Sequence, residues 1–329
     1  MRRLVLAMLC AVSLIVVVAC SGTFIGKDGS RTTLDCPNLP TAVPTAVTSG
    51  TCTWTASPAP TTTPPLAVFP TPATTGAPAT TVFSEHGGDT VITTAYASIN
   101  RWHVAGDLLI KAPGVTITNS VVDGYLDNEY TAAGSTRMTV TDTTIGAAAG
   151  CDDSPGLGEH DYNALRVLIR NHGDGFRVSG NNVSIKDSFV QTCDSVQNHD
   201  DGVQIFCPTP DLPWPCDNIV VDHNTLSVAH VRNYTSAFFG GDRDANGRIA
   251  HVTLTNNLLD GGTYTINTRW TSGPNFVITG NRLVDKSWDY DSSSLAGTCA
   301  HVTWADNRAV AIGANWRLSA DRGSLACQD

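Results

Sequence analysis

The sequence predicts an all-β fold in which the chain winds as a single-stranded solenoid, a parallel β-helix. Two observations lead to this prediction. A short motif recurs along most of the chain: an apolar residue, a spacer, a second apolar residue, two polar residues and often Asn before another apolar residue. Its copies start at nearly regular intervals, and no long helical period competes with them.

Seven copies of the motif lie between residues 114 and 309. They read GVTITNSVV, RMTVTDTTI, NVSIKDSFV, NIVVDHNTL, HVTLTNNLL, NFVITGNRL and HVTWADNRA. Their first apolar residues are separated by 23, 45, 36, 33, 24 and 26 residues. The shorter separations equal one coil of a parallel β-helix, the longest is close to two coils, and the remaining two hold one coil and a loop.

Each coil is expected to bring the chain back beside its starting point, at about 4.8 Å, after roughly two dozen residues. Equivalent side chains then stack in columns from coil to coil. The asparagines that recur at the end of the motif are expected to form a ladder at a turn. They are Asn224, Asn257, Asn281 and Asn307. A two-sheet sandwich is the alternative fold, and it would not produce so regular a repeat.

The N-terminus carries the features of an export signal. Arg2 and Arg3 precede the run LVLAMLCAVSLIVVVA, which is long enough for the apolar region of a signal peptide. The run ends in VVAC, which resembles the bacterial lipobox, in which the Cys is lipidated. Residues 1–19 are therefore predicted to be a lipoprotein signal peptide, with Cys20 as the lipid anchor. An ordinary secretory signal or a single membrane anchor is the alternative, and each of the three places the domain outside the cell.

The composition separates a tether from a domain. Residues 20–65 are rich in Pro, Thr and Ala, a composition that buries little surface and stays extended, so they are predicted to be a tether. The β-helix domain is predicted to span residues 66–329. The stretch FPTPATTGAP, residues 69–78, is expected to lie already against this domain.

The charge limits the classes of partner. The formal net charge is −10 at pH 7. An acidic surface argues against a nucleic-acid partner, because phosphate binding needs clustered Lys and Arg. A monomer is expected.

The cysteines indicate an oxidising compartment. Cys10 and Cys20 belong to the export segment, which leaves an even set of eight among the chain's ten cysteines. The eight are Cys36, Cys52, Cys151, Cys193, Cys207, Cys216, Cys299 and Cys327. An even set in an exported chain indicates disulfides, and the lack of a CxxC pair makes a zinc site a weak alternative. The closest spacings predict Cys207–Cys216 and Cys36–Cys52, while the remaining pairings stay open.

One stretch occurs twice, as NHGDGFRV from Asn171 and as NHDDGVQI from Asn198. The second copy starts 27 residues after the first, which is about one coil. The two copies are therefore predicted to stack, with His172 beside His199 and Asp174 beside Asp201. Their paired apolar residues face the core, so Arg177 and Gln204 are predicted to point outwards.

The next two coils extend this prediction into an external column. The stretch TSAFFGG is aligned with Ala237 and Phe239 inward and Phe238 outward, and GTYTIN is aligned with Thr265 outward. The predicted column reads Arg177, Gln204, Phe238 and Thr265. A guanidinium, an amide and an aromatic ring in a row suit a sugar chain that lies across the coils.

A cluster of carboxylates is predicted beside that column. Asp174, Asp200 and Asp201 repel one another on adjacent coils, so they either share a proton as an acid/base pair or recruit a cation such as Ca²⁺. The alternative is that Asp174 and Asp201 face inwards and cap backbone amides before Gly. Asp200 has no acidic counterpart on the previous coil, where Gly173 stands, so Asp200 and His199 are the preferred functional residues.

From Leu66 to Trp288 the chain resembles the right-handed parallel β-helix proteins of the pectin-lyase-like superfamily, and more narrowly a group of exported actinobacterial β-helix repeat proteins. The stretches that carry the resemblance are GDLLIKAPGVTITNS, NALRVLIRNHGDGFRVSGNNVSIKDSFV, HDDGVQIF, DNIVVDHNTL and HVTLTNNLLDGGTYTIN. The superfamily holds polysaccharide lyases, glycoside hydrolases, epimerases and proteins with no known activity, so the resemblance implies no single reaction.

The resemblance implies two chemistries. In the superfamily's lyases, Ca²⁺ typically bridges substrate carboxylates and an Arg, Lys or His takes the proton, whereas its hydrolases use paired Asp. His199, Arg243 and Arg269 are the candidate bases for a lyase. The Asn-Thr-Asp, Gly-His-Gly and Arg-Ile-Lys set of polygalacturonase-like hydrolases is not found here, and the calcium and arginine motifs of pectate lyases are not recognisable.

The resulting expectation is a cell-surface protein that cleaves a uronate-containing polysaccharide, with β-elimination preferred to hydrolysis. Catalysis is expected of His199, Asp200, Asp201 and Arg243, substrate binding of Arg177, Gln204, Phe238 and Arg269, and Ca²⁺ binding of Asp174, Asp200 and Asp201. The alternative is a non-catalytic glycan-binding or structural surface protein, in which the repeated Asn-His-x-Asp-Gly is turn architecture.

Overall fold

The computed structural model describes residues 68–131, 136–195, 199–207, 216–241, 249–269, 275–295 and 299–329, together with four short strands nearer the N-terminus. The chain divides into two compact units, Met1–Pro64 and Pro65–Asp329. In the first unit, β1 (Gly22–Ile25) pairs antiparallel with β2 (Arg31–Leu34), and β3 (Val47–Thr48) pairs antiparallel with β4 (Thr51–Cys52).

Several predictions fall on residues outside the described part of the chain. They are the signal peptide 1–19, the lipidation of Cys20, the Cys36–Cys52 disulfide and the role of Arg243. Among the described residues, no helix combines the length and the apolar character that crossing a bilayer requires.

The second unit confirms the predicted parallel β-helix. In chain order its elements are β5 (Ser84–His86), β6 (Thr90–Ile92), β7 (Ser98–Asn100), β8 (Trp102–Val104), β9 (Leu108–Ile110), β10 (Thr116–Thr118), β11 (Val121–Val122), β12 (Leu126–Asn128), β13 (Met138–Thr141), β14 (Thr144–Ile145), β15 (Asp152–Glu159), β16 (Tyr162–Leu165), β17 (Leu168–Arg170), β18 (His172–Val178), β19 (Val183–Lys186), β20 (Phe189–Gln191), β21 (Asp200–Ile205), β22 (Cys216–Asp222), β23 (Thr225–Ser227), β24 (Tyr234–Gly240), β25 (Ile249–Thr255), β26 (Leu258–Asp260), β27 (Tyr264–Thr268), β28 (Phe276–Thr279), β29 (Arg282–Val284), β30 (Asp291–Ser294), the 3₁₀ turn Cys299–His301, β31 (Val302–Ala305), β32 (Arg308–Ile312), the 3₁₀ turn Ala314–Trp316 and β33 (Leu318–Ser324). From β5 onwards, consecutive strands belong in turn to face 1, face 2 and face 3, so that three strands make one coil.

Face 1 has 11 strands, from β5 to β33, while face 2 (β6 to β30) and face 3 (β7 to β31) have 9 each. Neighbouring strands are parallel except at the end of face 1, where β33 returns antiparallel to β32. The inner side of each face is apolar. On face 2 the inner column is fully buried and reads Leu108, Leu126, Leu157, Phe176, Val203, Phe238 and Ile266. Burying one such side chain contributes about 1.5–3 kcal/mol, so the core alone favours this register strongly.

The predicted asparagine ladder is present at the corner between face 3 and face 1. The backbone amide of Asn224 donates to Oδ1 of Asn257 (2.9 Å), and the amide of Asn257 donates to Oδ1 of Asn281 (3.0 Å). Nδ2 of Asn257 donates to the carbonyl of Val221 (3.0 Å). These asparagines are buried, so the ladder satisfies backbone groups that the turn would otherwise leave unpaired.

The residue before each ladder position explains the polar pair in the motif. His223, Asn256 and Asp306 have φ values of 56°, 56° and 50°, and Gly280 has 72°. This left-handed conformation favours Gly and Asn, and it lets the chain turn the corner in one residue. In earlier coils Ser120, Thr143 and Ser188 take the place of the buried Asn, and Val167 stands there on the coil between Thr143 and Ser188.

The stretch predicted to lie against the domain does so. Phe69 is buried against Leu258 and Val310 on face 1, and Oγ1 of Thr225 donates to the carbonyl of Pro70 (2.7 Å). Farther along, the amide of Ala77 donates to Oγ1 of Thr144 (3.0 Å). The chain therefore reaches the solenoid at a late coil and crosses face 1 before it starts the first coil.

Three disulfides join the described cysteines. Cys207–Cys216 confirms the pairing predicted from spacing and connects β21 to β22. Cys151–Cys193 and Cys299–Cys327 are the pairings that the sequence left open. The bonds are compatible with an extracellular location.

The ladder leads to a prediction about stability. Asn257→Ala is expected to lower the free energy of unfolding by about 2–4 kcal/mol, because it removes the partner of the buried amide of Asn224 and of the carbonyl of Val221 on the preceding coil. Asn256→Gly is the control, since Asn256 lies at the next position outward and Gly tolerates its backbone conformation. Urea unfolding followed by circular dichroism measures the free energy of unfolding of both variants. Equal losses would show that the ladder side chain of Asn257 stabilises the fold no more than the side chain of Asn256.

Candidate functional site

One outward column of side chains runs along face 2 from coil to coil. It starts with Val91 and Leu109, and we call the part from Asp127 onwards the face 2 column. Its members are Asp127, Gly158, Arg177, Gln204, Phe239, Asn267 and Ser294. The column includes the predicted pair Arg177 and Gln204, whose Cα atoms are directly paired between β18 and β21.

The prediction that Phe238 and Thr265 belong to this column is wrong. Phe238 pairs with Val203 and is fully buried in the core, and Phe239 takes the outward place beside Gln204. The cause is a bulge: Asp200 pairs with Tyr234 but Asp201 pairs with Ser236, so one extra residue shifts the rest of β24. A shift of one residue exchanges the two faces of a strand. Thr265 is buried, and Asn267 holds the outward position on the next coil.

Phe239 carries a cation on its ring. The guanidinium carbon of Arg269 lies 5.3 Å from the ring centre of Phe239, which is only 8% exposed, while Arg269 itself is exposed. The backbone amide of Arg269 donates to the carbonyl of Gly240 (2.8 Å). The stacked ring holds the guanidinium in place, so the predicted substrate residue Arg269 does lie at the column.

Arg177 is held from two sides. Its Nε donates to Oε1 of Gln204 (2.8 Å), and its Nη2 donates to Oδ2 of Asp174 (2.6 Å). Asp174 is fully buried, whereas the side chain of Arg177 is 30% exposed. The guanidinium is therefore fixed in orientation while part of it still faces solvent.

Asp174 and Asp201 form a second ladder. It lies near the start of β18 and β21, where the chain turns from face 1 to face 2. Oδ1 of Asp174 accepts from the amide of Asp201 (3.0 Å), and Oδ1 of Asp201 accepts from the amide of Ser236 (2.8 Å). A side chain on Gly175 or Gly202 would collide with a carbonyl oxygen of the next coil. The repeated Asp-Gly is thus explained by architecture: Asp caps an amide of the next coil, and Gly lets that coil approach.

Asp200 does not belong to this ladder. It is fully buried, and neither of its carboxylate oxygens has a hydrogen bond of ordinary geometry. Burial raises the pKa of Asp200 to about 7, although the backbone amide of Ser195 opposes the shift. His199 is exposed at the start of β21, and His172 is buried, which lowers its pKa. The structure therefore places the preferred pair at a corner and not on the face 2 column.

Sequence reasoning missed the acidic end of the face 2 column. Oδ1 of Asp127 is buried without a partner, and the carboxylate occupies the space that a side chain at Gly158 would fill. Burial, together with the charge of Glu159, raises the pKa of Asp127 to about 7, and Arg177 opposes this rise. Burial also raises the pKa of Glu159. Two carboxyl groups that hold their protons unusually well thus lie close to Arg177.

A buried tyrosine lies on the core side of these two carboxyl groups. Tyr162 is fully buried and its hydroxyl has no hydrogen-bond partner. Burial raises its pKa well above the usual value, and the charges of Asp127 and Glu159 add to the effect. No signal in the sequence joined these residues, because Asp127 and Glu159 lie outside the repeated motif and meet only through the pairing of β12 with β15.

Within the part of the chain that the structure describes, no group of three or more His, Cys, Asp or Glu side chains is arranged to hold a metal ion. Ca²⁺ binding by Asp174, Asp200 and Asp201 stays a prediction. Comparisons of the chain with protein-family models, with curated proteins and with solved structures find no match.

The aspartate ladder gives a second stability prediction. Asp174→Ala is expected to lower the free energy of unfolding by about 3 kcal/mol, because it leaves the amide of Asp201 and one arm of Arg177 without their partner. Asp174→Asn keeps an oxygen for the amide and should lose less. Urea unfolding of both variants checks this, and an Ala variant as stable as the parent would mean that the ladder is dispensable.

Proposed function

We propose that this protein is an exported enzyme that binds an acidic polysaccharide along the face 2 column and hydrolyses it by acid/base catalysis. The observation that carries the proposal is the pair Asp127 and Glu159, two carboxyl groups with raised pKa values beside Arg177 at one end of the column. Membership of the pectin-lyase-like superfamily and a lipid anchor at Cys20 are part of the proposal, and both rest on the sequence features described above.

The shape of the column supports a chain-like substrate. Six steps between coils separate Asp127 from Ser294, which at about 4.8 Å a step makes roughly 29 Å. Gln204 is partly exposed and offers its amide to sugar hydroxyls along this length, whereas Asn267 is buried. A flexible polymer that lies along the solenoid axis would contact Arg177, Gln204 and Arg269.

The charges support an acidic sugar at the far end. Arg269 is stacked on Phe239, and no carboxylate lies within salt-bridge distance of it among the described residues. An anchored guanidinium binds a carboxylate through two parallel hydrogen bonds. A uronate is therefore the sugar that this position favours.

The acidic end supports hydrolysis over β-elimination. With a pKa of about 7, Asp127 keeps its proton in near-neutral solution and can donate it to a leaving glycosidic oxygen. Two adjacent carboxyl groups resist simultaneous ionisation, so one acts as acid while the other, once ionised, acts as base or nucleophile. β-Elimination needs a base beside a neutralised uronate carboxylate, and two of the three carboxylates expected to bind Ca²⁺ are occupied as backbone caps.

A non-catalytic glycan-binding protein is the second candidate. The observation that favours it is the ladder of Asp174 and Asp201, because the most conspicuous acidic motif of the sequence has an architectural use.

The test uses the full mature chain with polygalacturonate, alginate, hyaluronan and glucuronoxylan. Both reactions create new reducing ends, and only β-elimination adds the ultraviolet absorbance of unsaturated products. We expect reducing ends without absorbance, a rate that falls as the pH rises through about 7 because Asp127 loses its proton, and a loss of at least about 100-fold in Asp127→Asn.

Asp285→Asn is the matched control, because Asp285 is a partly exposed carboxylate in a late coil, away from Asp127. Ultraviolet absorbance that rises together with the reducing ends would establish a lyase. Binding without turnover across the panel would support the second candidate.

A further inference from the structure

Three tyrosines occupy the start of face 2 on successive late coils. Tyr234 begins β24, Tyr264 begins β27, and Tyr290 immediately precedes β30. The rings of Tyr264 and Tyr290 lie 5.5 Å apart at 45°. Tyr290 is 72% exposed, which makes it one of the most exposed large apolar side chains in the described part of the chain.

The backbone fixes Tyr290 although its ring is in solvent. Its amide donates to the carbonyl of Thr263 (2.9 Å), and the amide of Asp289 donates to the carbonyl of Gly262 (3.1 Å). The hydroxyl of Tyr234 donates to Oδ1 of Asp289 (2.8 Å). The segment is thus tied to the preceding coil at two points and to Tyr234, one coil further back, at a third, and binding a ligand there requires little further ordering.

The exposure of Tyr290 has no packing explanation of the kind that applies to Tyr96. Tyr96 is 67% exposed, but its ring lies directly over Gly114, where a Cβ would come within 2.5 Å of the ring. Tyr96 therefore covers backbone. The ring contact of Tyr290 is with Tyr264, which leaves most of its surface open to a ligand.

We infer that Tyr264 and Tyr290 form a stacking platform for an uncharged sugar ring of the polysaccharide that occupies the face 2 column. The inference rests on the proposed function. An aromatic face packs against the apolar C–H face of a sugar, and the carboxylates of Asp289 and Asp291, which flank Tyr290 in the chain, are acceptors for its hydroxyls. The same carboxylates repel a uronate, so the platform selects an uncharged ring.

The platform lies within reach of the column. Tyr264 precedes the column residue Asn267 by three positions on β27, which corresponds to about 10 Å. Arg269, which follows β27 in the protein sequence, favours an acidic sugar, while the tyrosines favour a neutral one. The preferred substrate is therefore a polysaccharide that contains both kinds of ring, in contrast to a polymer of uronate alone.

The test compares glucuronoxylan and hyaluronan, which contain uncharged rings, with polygalacturonate and alginate, which do not. With the full mature chain, Tyr290→Ala is expected to raise KM or Kd about tenfold for the first two without changing kcat. Tyr290→Phe should retain binding, and Tyr96→Ala, the matched exposed tyrosine, should behave as the parent. Thermal unfolding of each variant checks that the fold is kept.

The outcomes separate the platform from the proposed function. If Asp127→Asn abolishes turnover while Tyr290→Ala leaves KM and Kd unchanged, the platform is overturned and the hydrolase stands. A preference for polygalacturonate or alginate over both mixed polymers would also overturn it. If no glycan is cleaved but Tyr290→Ala still weakens binding to a mixed polymer, the platform stands and the hydrolase fails.

Discussion

The solenoid depends on side chains that hydrogen-bond to the backbone of the neighbouring coil at its corners. Along the strands, each coil pairs with the next through backbone groups alone, but at a corner the chain turns and those pairs are interrupted. Buried Asn at one corner, and buried Asp at another, supply the missing acceptors: Asn257 to the amide of Asn224, and Asp174 to the amide of Asp201. An unpaired buried backbone group costs about 1–3 kcal/mol, and the cost would recur on every coil.

This constraint also determines where function can reside. The inner sides of the coils are filled by apolar columns, and the corners are occupied by the ladders, so the outward positions of a face are the ones free to vary. On face 2 the column departs from a repeating pattern, with a carboxyl group at Asp127, no side chain at Gly158 and a guanidinium at Arg177. These positions bring together an acid with a pKa of about 7, Asp127, and a fixed cation, Arg177. A purely structural column needs neither.

The sequence predicts those features that recur with the coil period. The parallel β-helix, the asparagine ladder, the packing of the stretch after Phe69 and the Cys207–Cys216 bond all follow from local patterns. The outward position of Phe238 was predicted wrongly because one inserted residue in β24 exchanges its two faces, and no composition signal marks a bulge. Asp127 and Glu159 were missed because their meeting depends on the register of β12 and β15, and neither strand is a copy of the repeated motif.

The most direct test of the account is the titration of Asp127 in the folded protein. Carbon-13 NMR of its carboxyl group, assigned with Asp127→Asn, should show a midpoint near 7 that moves when a cleavable glycan binds. That result would show that the column holds a proton where the proposed reaction needs one. A midpoint near the ordinary value of about 3.9, unchanged by any glycan, would contradict the central claim that this end of the column is built for acid catalysis.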